Sequence, residues 1–83
     1  MSNLGYFATG TALGPPTIPA STVLLTNPYA QDCMVYIAGG TVTVIAVGGV
    51  TTGLTSGTFL VEATKTIAIT YSVVPTGWVW IAL

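Results

Sequence analysis

The sequence from Thr41 to Tyr71 reads TVTVIAVGGVTTGLTSGTFLVEATKTIAITY. In it, runs of β-branched and aromatic residues alternate with Gly pairs and with clusters of Thr, Ser and Gly. Short antiparallel strands joined by tight turns have this composition, because branched side chains suit a pleated sheet and glycine suits turns with positive φ. The clearest strand is Thr66–Val73. One of its faces carries Ile67, Ile69, Tyr71 and Val73.

The same pattern continues on both sides of this stretch. Thr22–Thr26 and Cys33–Ile37 are predicted as strands before it, and Trp78–Leu83 after it. The pairs Gly39-Gly40 and Gly48-Gly49 are predicted as the turns of β-hairpins. The predicted fold is all-β, a small antiparallel β-sandwich or barrel of six to seven short strands with an extended N-terminal arm.

The first 20 residues differ from the rest, because three glycines and three prolines are spaced among aromatic and aliphatic residues. Proline fixes φ and biases the residue before it toward extended conformations. We therefore divide the chain into an arm, 1–20, and a β domain, 21–83. A partly disordered N-terminus is the alternative. If the arm crosses a neighbouring subunit, its expected anchors are Tyr6, Phe7, Pro15, Pro16 and Ile18.

The composition points to association. Of the 83 residues, 52% are hydrophobic and only 4% are charged, whereas an average domain carries about 25% charged residues. So small a domain has more apolar side chains than one core can hide, and its uncharged strands invite edge-to-edge pairing. We expect a homo-oligomer whose contacts cover this surface.

The net charge of −1 offers no basic surface for nucleic acid or for an anionic membrane, so neither partner is expected. The apolar central region is long enough for a membrane span of about 20 residues, but Gly and Thr clusters interrupt it and no Lys or Arg cluster flanks it. A small membrane protein of the lysis type stays as an alternative. The start of the chain lacks the pattern of a signal peptide, which predicts a protein made and kept in the cytosol until assembly.

Enzymatic chemistry is not expected, and no cofactor or metal site is predicted, because the chain has no His and no Arg. Asp32 and Glu62 are the only carboxylate side chains, and they fall in different predicted turns. Cys33 is expected to be a buried apolar side chain. Trp78 and Trp80 point the same way on a strand, so we expect them in the core or at an oligomer axis rather than in a sugar-binding platform.

Several motifs together resemble a small β domain of virion proteins of tailed bacteriophages, especially phages of actinobacteria. The resemblance covers about residues 22 to 80 and rests on turn and strand motifs. They are TNP (26–28), VYIAGGTVT (35–43), TGLTSGTF (52–59), TI (66–67), TYS (70–72), PT (75–76) and WVW (78–80). This sequence departs from the phage domain at two places, both of which affect the expected binding surface. Glu62–Lys65 replaces a loop that is usually Gly-rich, and Ile81–Leu83 extends past the aromatic pair.

The resemblance implies a structural virion protein, a capsid decoration or cement protein on the outside of the phage head. Its expected partner is the major capsid protein, its expected state a homotrimer, and its expected location the capsid surface after assembly in the host cytoplasm. Many copies would clamp junctions between capsid subunits against the pressure of packaged DNA. The alternative from the same particle is a tail-tip or fibre domain that binds host carbohydrate through the aromatic pair.

Overall fold

The computed structural model describes residues 8–83, which form β-strands, turns and loops without any helix. The predicted all-β class is confirmed. The predicted six to seven strands are corrected to eight. In chain order they are β1 (Ala12–Leu13), β2 (Leu25–Thr26), β3 (Cys33–Ala38), β4 (Thr41–Val47), β5 (Val50–Thr51), β6 (Gly57–Val61), β7 (Thr66–Val73) and β8 (Gly77–Ala82).

The eight strands form two four-stranded antiparallel sheets. Sheet A has the order β1-β8-β3-β6, and sheet B has the order β2-β7-β4-β5. Two sheets with these interleaved orders are the arrangement of a jelly roll, the double Greek key found in viral capsid, lectin and cupin domains. The sequence prediction of a sandwich or barrel is thereby narrowed to two sheets.

Only one connection in the fold is a hairpin. Gly48-Gly49 joins β4 to β5 within sheet B, and the other six connections between consecutive strands cross from one sheet to the other. The prediction that Gly39-Gly40 closes a hairpin is therefore wrong, because β3 belongs to sheet A and β4 to sheet B. A Cβ atom on Gly40, whose φ is +65°, would lie 2.3 Å from the carbonyl oxygen of Val74. This turn packs closely against the β7–β8 connection, which also crosses between the two sheets.

The core lies between the sheets and is formed by alternate residues of the long strands. Its largest fully buried members are Trp80, Ile37, Ile45, Ile67, Ile69, Val35, Val61 and Cys33. The predicted inward face of β7 is confirmed at Ile67 and Ile69, but Val73 is 54% exposed. The pairing of β4 with β7 shifts register near Val42, so the end of β7 leaves the core.

Residues 14–24 form a strap that leads from β1 in sheet A to β2 in sheet B. The predicted strand Thr22–Thr26 is limited to Leu25–Thr26, because Thr22 has a φ of 72° and lies in a turn. An N-terminal arm that extends away from the domain is not confirmed. The described part of it, from residue 8 onward, pairs with β8 and then follows the edges of its own two sheets.

Candidate docking surface

The outer face of sheet A is apolar. Because side chains alternate along a strand, the neighbours of the buried residues in β3, β6 and β8 point outward. The strand register places Met34 between Ile81 and Leu60, and it places Tyr36 between Val79 and Thr58. We call these outward residues, Met34, Tyr36, Leu60, Val79 and Ile81, the sheet-A face.

This face is open to solvent at its centre and at its β6 side. The exposed fractions are 44% for Tyr36, 45% for Leu60 and 42% for Val79. The three long strands of sheet A, about 4.8 Å apart and five or six residues long, together with the two-residue β1, cover roughly 300 Å². Contiguous apolar patches of about 300–600 Å² are the largest on most monomers and are often functional.

All three charged side chains of the chain lie at one end of the sandwich, beyond the row formed by Met34 and Leu60. Asp32 precedes β3, and Glu62 and Lys65 occupy the turn between β6 and β7. The backbone N–H of Ala63 donates to Oδ1 of Asp32 at 2.9 Å, which holds the two loops together. The face itself is therefore electrically neutral, and its contacts depend on apolar burial.

The outer face of sheet B has a different composition. Its register rows place Thr70 beside Val44 and Ala68 beside Ala46, and Ala46 is also opposite Thr51. The hydroxyl of Thr43 donates to the carbonyl oxygen of Thr70 at 3.3 Å. Short side chains and hydroxyl groups thus predominate in the middle of this sheet, with Val44 as a larger side chain. The exposed apolar residues Val50 and Val73, at 67% and 54%, lie in β5 and at the end of β7.

The strap is held to its own domain by hydrogen bonds to aromatic side chains. The indole N–H of Trp78 donates to the carbonyl oxygen of Pro16 at 2.7 Å, and the hydroxyl of Tyr71 donates to that of Pro19 at 2.8 Å. The hydroxyl of Tyr29 also donates to the carbonyl oxygen of Gly14. These bonds fix the strap across the open side between the two sheets.

The expected arm anchors are thus placed as follows. Ile18 packs against the core of its own chain, Pro16 is half-buried and Pro15 is exposed. Tyr6 and Phe7 lie outside the described residues.

The two tryptophans do not form an open platform. Trp80 is fully buried, and its ring meets that of Trp78 edge-on with 5.8 Å between centroids. Trp78 is half-buried against the core, and its N–H is occupied by Pro16. Within residues 8–83, the indole Nε1 of Trp80 has no hydrogen-bond partner. In this single chain Trp80 serves the core and offers no ring face to a sugar.

Residues 8–83 enclose no pocket and contain no cluster of three metal-ligating side chains. Cys33 is buried, and this burial raises the pKa of its thiol, with a smaller contribution of the same sign from Asp32 and an opposing one from its hydrogen bond to Asn27. The loops of Asp32 and Glu62 meet at one end, although the sequence placed them in separate turns.

Asn27 is, with Gln31, one of two buried polar residues among residues 8–83 that the sequence analysis did not single out. Its side-chain amide donates to the carbonyl oxygens of Gln31 and Val61 at 3.0 Å, and its Oδ1 accepts from the backbone N–H of Tyr29 at 2.8 Å. The signal was present in Asn27-Pro28, because Asn before Pro commonly bonds the backbone two residues on. Asn27 joins the β2–β3 loop to the end of β6 and has a structural role.

Comparison with protein-family models, with curated proteins and with solved structures found no match to this chain. Nor do residues 8–83 include a helix with the length and apolar character needed to cross a membrane.

Proposed function

We propose that this protein is a structural virion protein that decorates the outside of a bacteriophage head and stabilises junctions between capsid subunits. The observation that carries the proposal is the sheet-A face, a neutral apolar surface on a domain whose described residues enclose no pocket. The sequence motifs that resemble phage virion proteins supply the identity of the partner, the major capsid protein. The jelly-roll strand order is compatible with this assignment but occurs in other functions too.

The size of the face indicates how such a protein would bind. Burial of about 300 Å² of apolar surface contributes on the order of 8 kcal/mol. The loss of translational and rotational freedom costs about 4–15 kcal/mol, so the face of one copy gives weak binding. A decoration protein overcomes this limit by self-association. When one copy of an oligomer has bound the capsid, the face of the next copy is held close to its own site, so its effective concentration there is high.

The alternative of a carbohydrate-binding fibre domain gains no support from the aromatic pair. Ring stacking needs an exposed aromatic face, and Trp80 is fully buried. Tyr36 is the exposed aromatic residue of the sheet-A face, but it is surrounded by Val79, Thr58 and other side chains that provide few polar partners for a sugar.

The test is co-sedimentation of the purified protein with phage heads that lack it. Val79→Lys places a charge at the centre of the sheet-A face, and Thr51→Lys places the same charge on the outer face of sheet B. We expect Val79→Lys to weaken binding by at least about tenfold, because a buried unpaired charge is costly. Thr51→Lys should bind like the unmodified protein. No binding of the unmodified protein, or equal effects of the two variants, would contradict the proposal.

A further inference from the structure

Four strands lie at the edges of the two sheets, and they are not equally protected. The strands β1, β2 and β5 have two residues each, which leaves little backbone for another chain to pair with. The fourth edge strand, β6, has five residues. It contains no charged residue and no proline, and its register with β3 is continuous from Gly57 to Val61. Within residues 8–83, β6 is the one long flat edge.

The hydrogen-bonding pattern of sheet A shows which backbone groups this edge presents. Ala82 directs its N–H and its carbonyl oxygen to β1, where they bond to Thr11 and Gly10 at 2.9 and 2.7 Å. Its neighbour across β3, Cys33, therefore directs its own groups toward β6, where Val61 is its partner. The same holds for Val35 and Ile37.

Because these directions alternate along a strand, Thr58 and Leu60 point their backbone N–H and carbonyl groups away from β3. No residue of the described chain bonds to these four groups. They form a short row of donors and acceptors at the border of the sheet-A face.

We propose that β6 pairs with β6 of a second copy of this chain, antiparallel and about a twofold axis through Phe59. In this register Thr58 is opposite Leu60 of the second copy. Each of these pairs exchanges two backbone hydrogen bonds, so the twofold contact uses all four exposed groups of each copy. An isologous contact of this kind closes as a dimer.

The charges are compatible with this contact. With Phe59 on the axis, Glu62 of one copy is opposite Ser56 of the other, so the two Glu62 side chains lie at opposite ends of the paired strands. Charged gatekeepers, which commonly protect such an edge, are absent from the five residues. The second copy is thus favoured as occupant because the strand is self-complementary in hydrogen bonding and brings no like charges together.

The dimer would join two sheet-A faces into one continuous eight-stranded sheet. Its outer apolar surface would measure roughly 600 Å², which approaches the area of about 800 Å² that one partner contributes to a standard protein interface. The pairing does not depend on the proposed function. It differs from the trimer that the phage resemblance implies, because a closed twofold contact through β6 gives pairs of copies.

The unmodified protein supplies the first test. Light scattering after size exclusion should give twice the 8.5 kDa chain mass. Amide hydrogen exchange measured by NMR should show protected N–H groups at Thr58 and Leu60, and their protection should fall on dilution into the monomer. A monomer at all concentrations, a trimer, or an oligomer in which these two amides exchange freely would overturn the inference.

A pair of variants separates edge pairing from contact through the face. Leu60→Pro removes the outward N–H without removing a bond to β3, and a proline is tolerated on the open side of an edge strand. Leu60→Thr shortens the apolar side chain but keeps the N–H. We expect Leu60→Pro to weaken dimerisation at least about tenfold, because two of the four intermolecular bonds are lost. An equal effect of the two variants would overturn the inference. If the proline variant does not fold, the hydrogen exchange of the Thr58 and Leu60 amides in the unmodified protein decides whether β6 is paired.

Discussion

The outer faces of the two sheets differ although the inner faces are alike. Both sheets bury Ile, Val and other apolar residues between them, as the core of a sandwich requires. Outside, sheet A carries Met34, Tyr36, Leu60, Val79 and Ile81, whereas the middle rows of sheet B carry mainly Thr and Ala, with Val44 as the larger side chain. The inner pattern is imposed by the fold, whereas either outer face could be covered with Thr. The apolar outer face of sheet A is therefore best explained by contact with another molecule.

The largest expected effect concerns the inner faces of the two sheets, which should contribute equally to the stability of the core. Ile37 in sheet A and Ile69 in sheet B are both fully buried. We expect Ile37→Ala and Ile69→Ala each to lower the free energy of unfolding by about 2–5 kcal/mol, from lost apolar transfer energy and the cavity left behind. Urea denaturation followed by tryptophan fluorescence measures the loss. If either Ala variant does not fold, the corresponding Ile→Val pair should cost about 0.5–1.5 kcal/mol. A large cost in one sheet alone would show that the sheets do not share one core.

An intermediate effect concerns the outer faces. The double variant Tyr36→Thr/Val79→Thr gives sheet A an outer surface like that of sheet B. We expect its binding of the hydrophobic dye ANS to fall by at least about twofold, while its unfolding free energy changes by no more than about 1 kcal/mol, because the replaced side chains are exposed. The matched control, Ala46→Thr/Ala68→Thr in sheet B, should leave dye binding unchanged. Equal dye binding by both variants would remove the distinction between the faces.

The smallest effect involves Cys33, a buried ionisable group on the inner face of sheet A. Burial raises the pKa of its thiol above the ordinary value of 9.0. The unfolded chain then releases the thiol proton at a lower pH than the folded chain, so stability falls as the pH rises above 9. Denaturation at pH 8 and at pH 10 should show this loss, and Cys33→Ala should reduce it. An identical pH dependence in that variant would assign the loss to other groups.

Local sequence patterns predicted the strands but not their partners. Alternation identified β7 and the buried positions Ile67 and Ile69, because one face of each strand must be apolar. The same reasoning failed at Gly39-Gly40, where the positive φ values fit a hairpin turn equally well. Whether the next strand returns beside the first or crosses to the other sheet depends on pairing with distant strands. In this chain the close packing of Gly40 on the β7–β8 connection was not visible in the local pattern.

The surface was harder to predict than the fold. Low charge and the apolar surplus indicated that a contact surface exists, but the sequence placed its anchors in the arm, at residues such as Ile18. The structure places Ile18 against its own core and brings together Met34, Leu60 and Ile81, which are far apart in sequence. The sequence could have indicated these residues only if the order of strands in sheet A were known.

The alternation of the chain between the sheets also constrains how the protein folds. Ala12 in the first strand pairs with Ile81 in the last, and β3 lies between β6 and β8. Contacts between distant parts of a chain require loop closure before they contribute stability, so folds of this kind form in about milliseconds to seconds. During synthesis β1 has no partner in sheet A until β8 has been made, and β3 has only β6. Until then the apolar strands of sheet A are exposed, and the domain is complete only when β8 has joined the sheet.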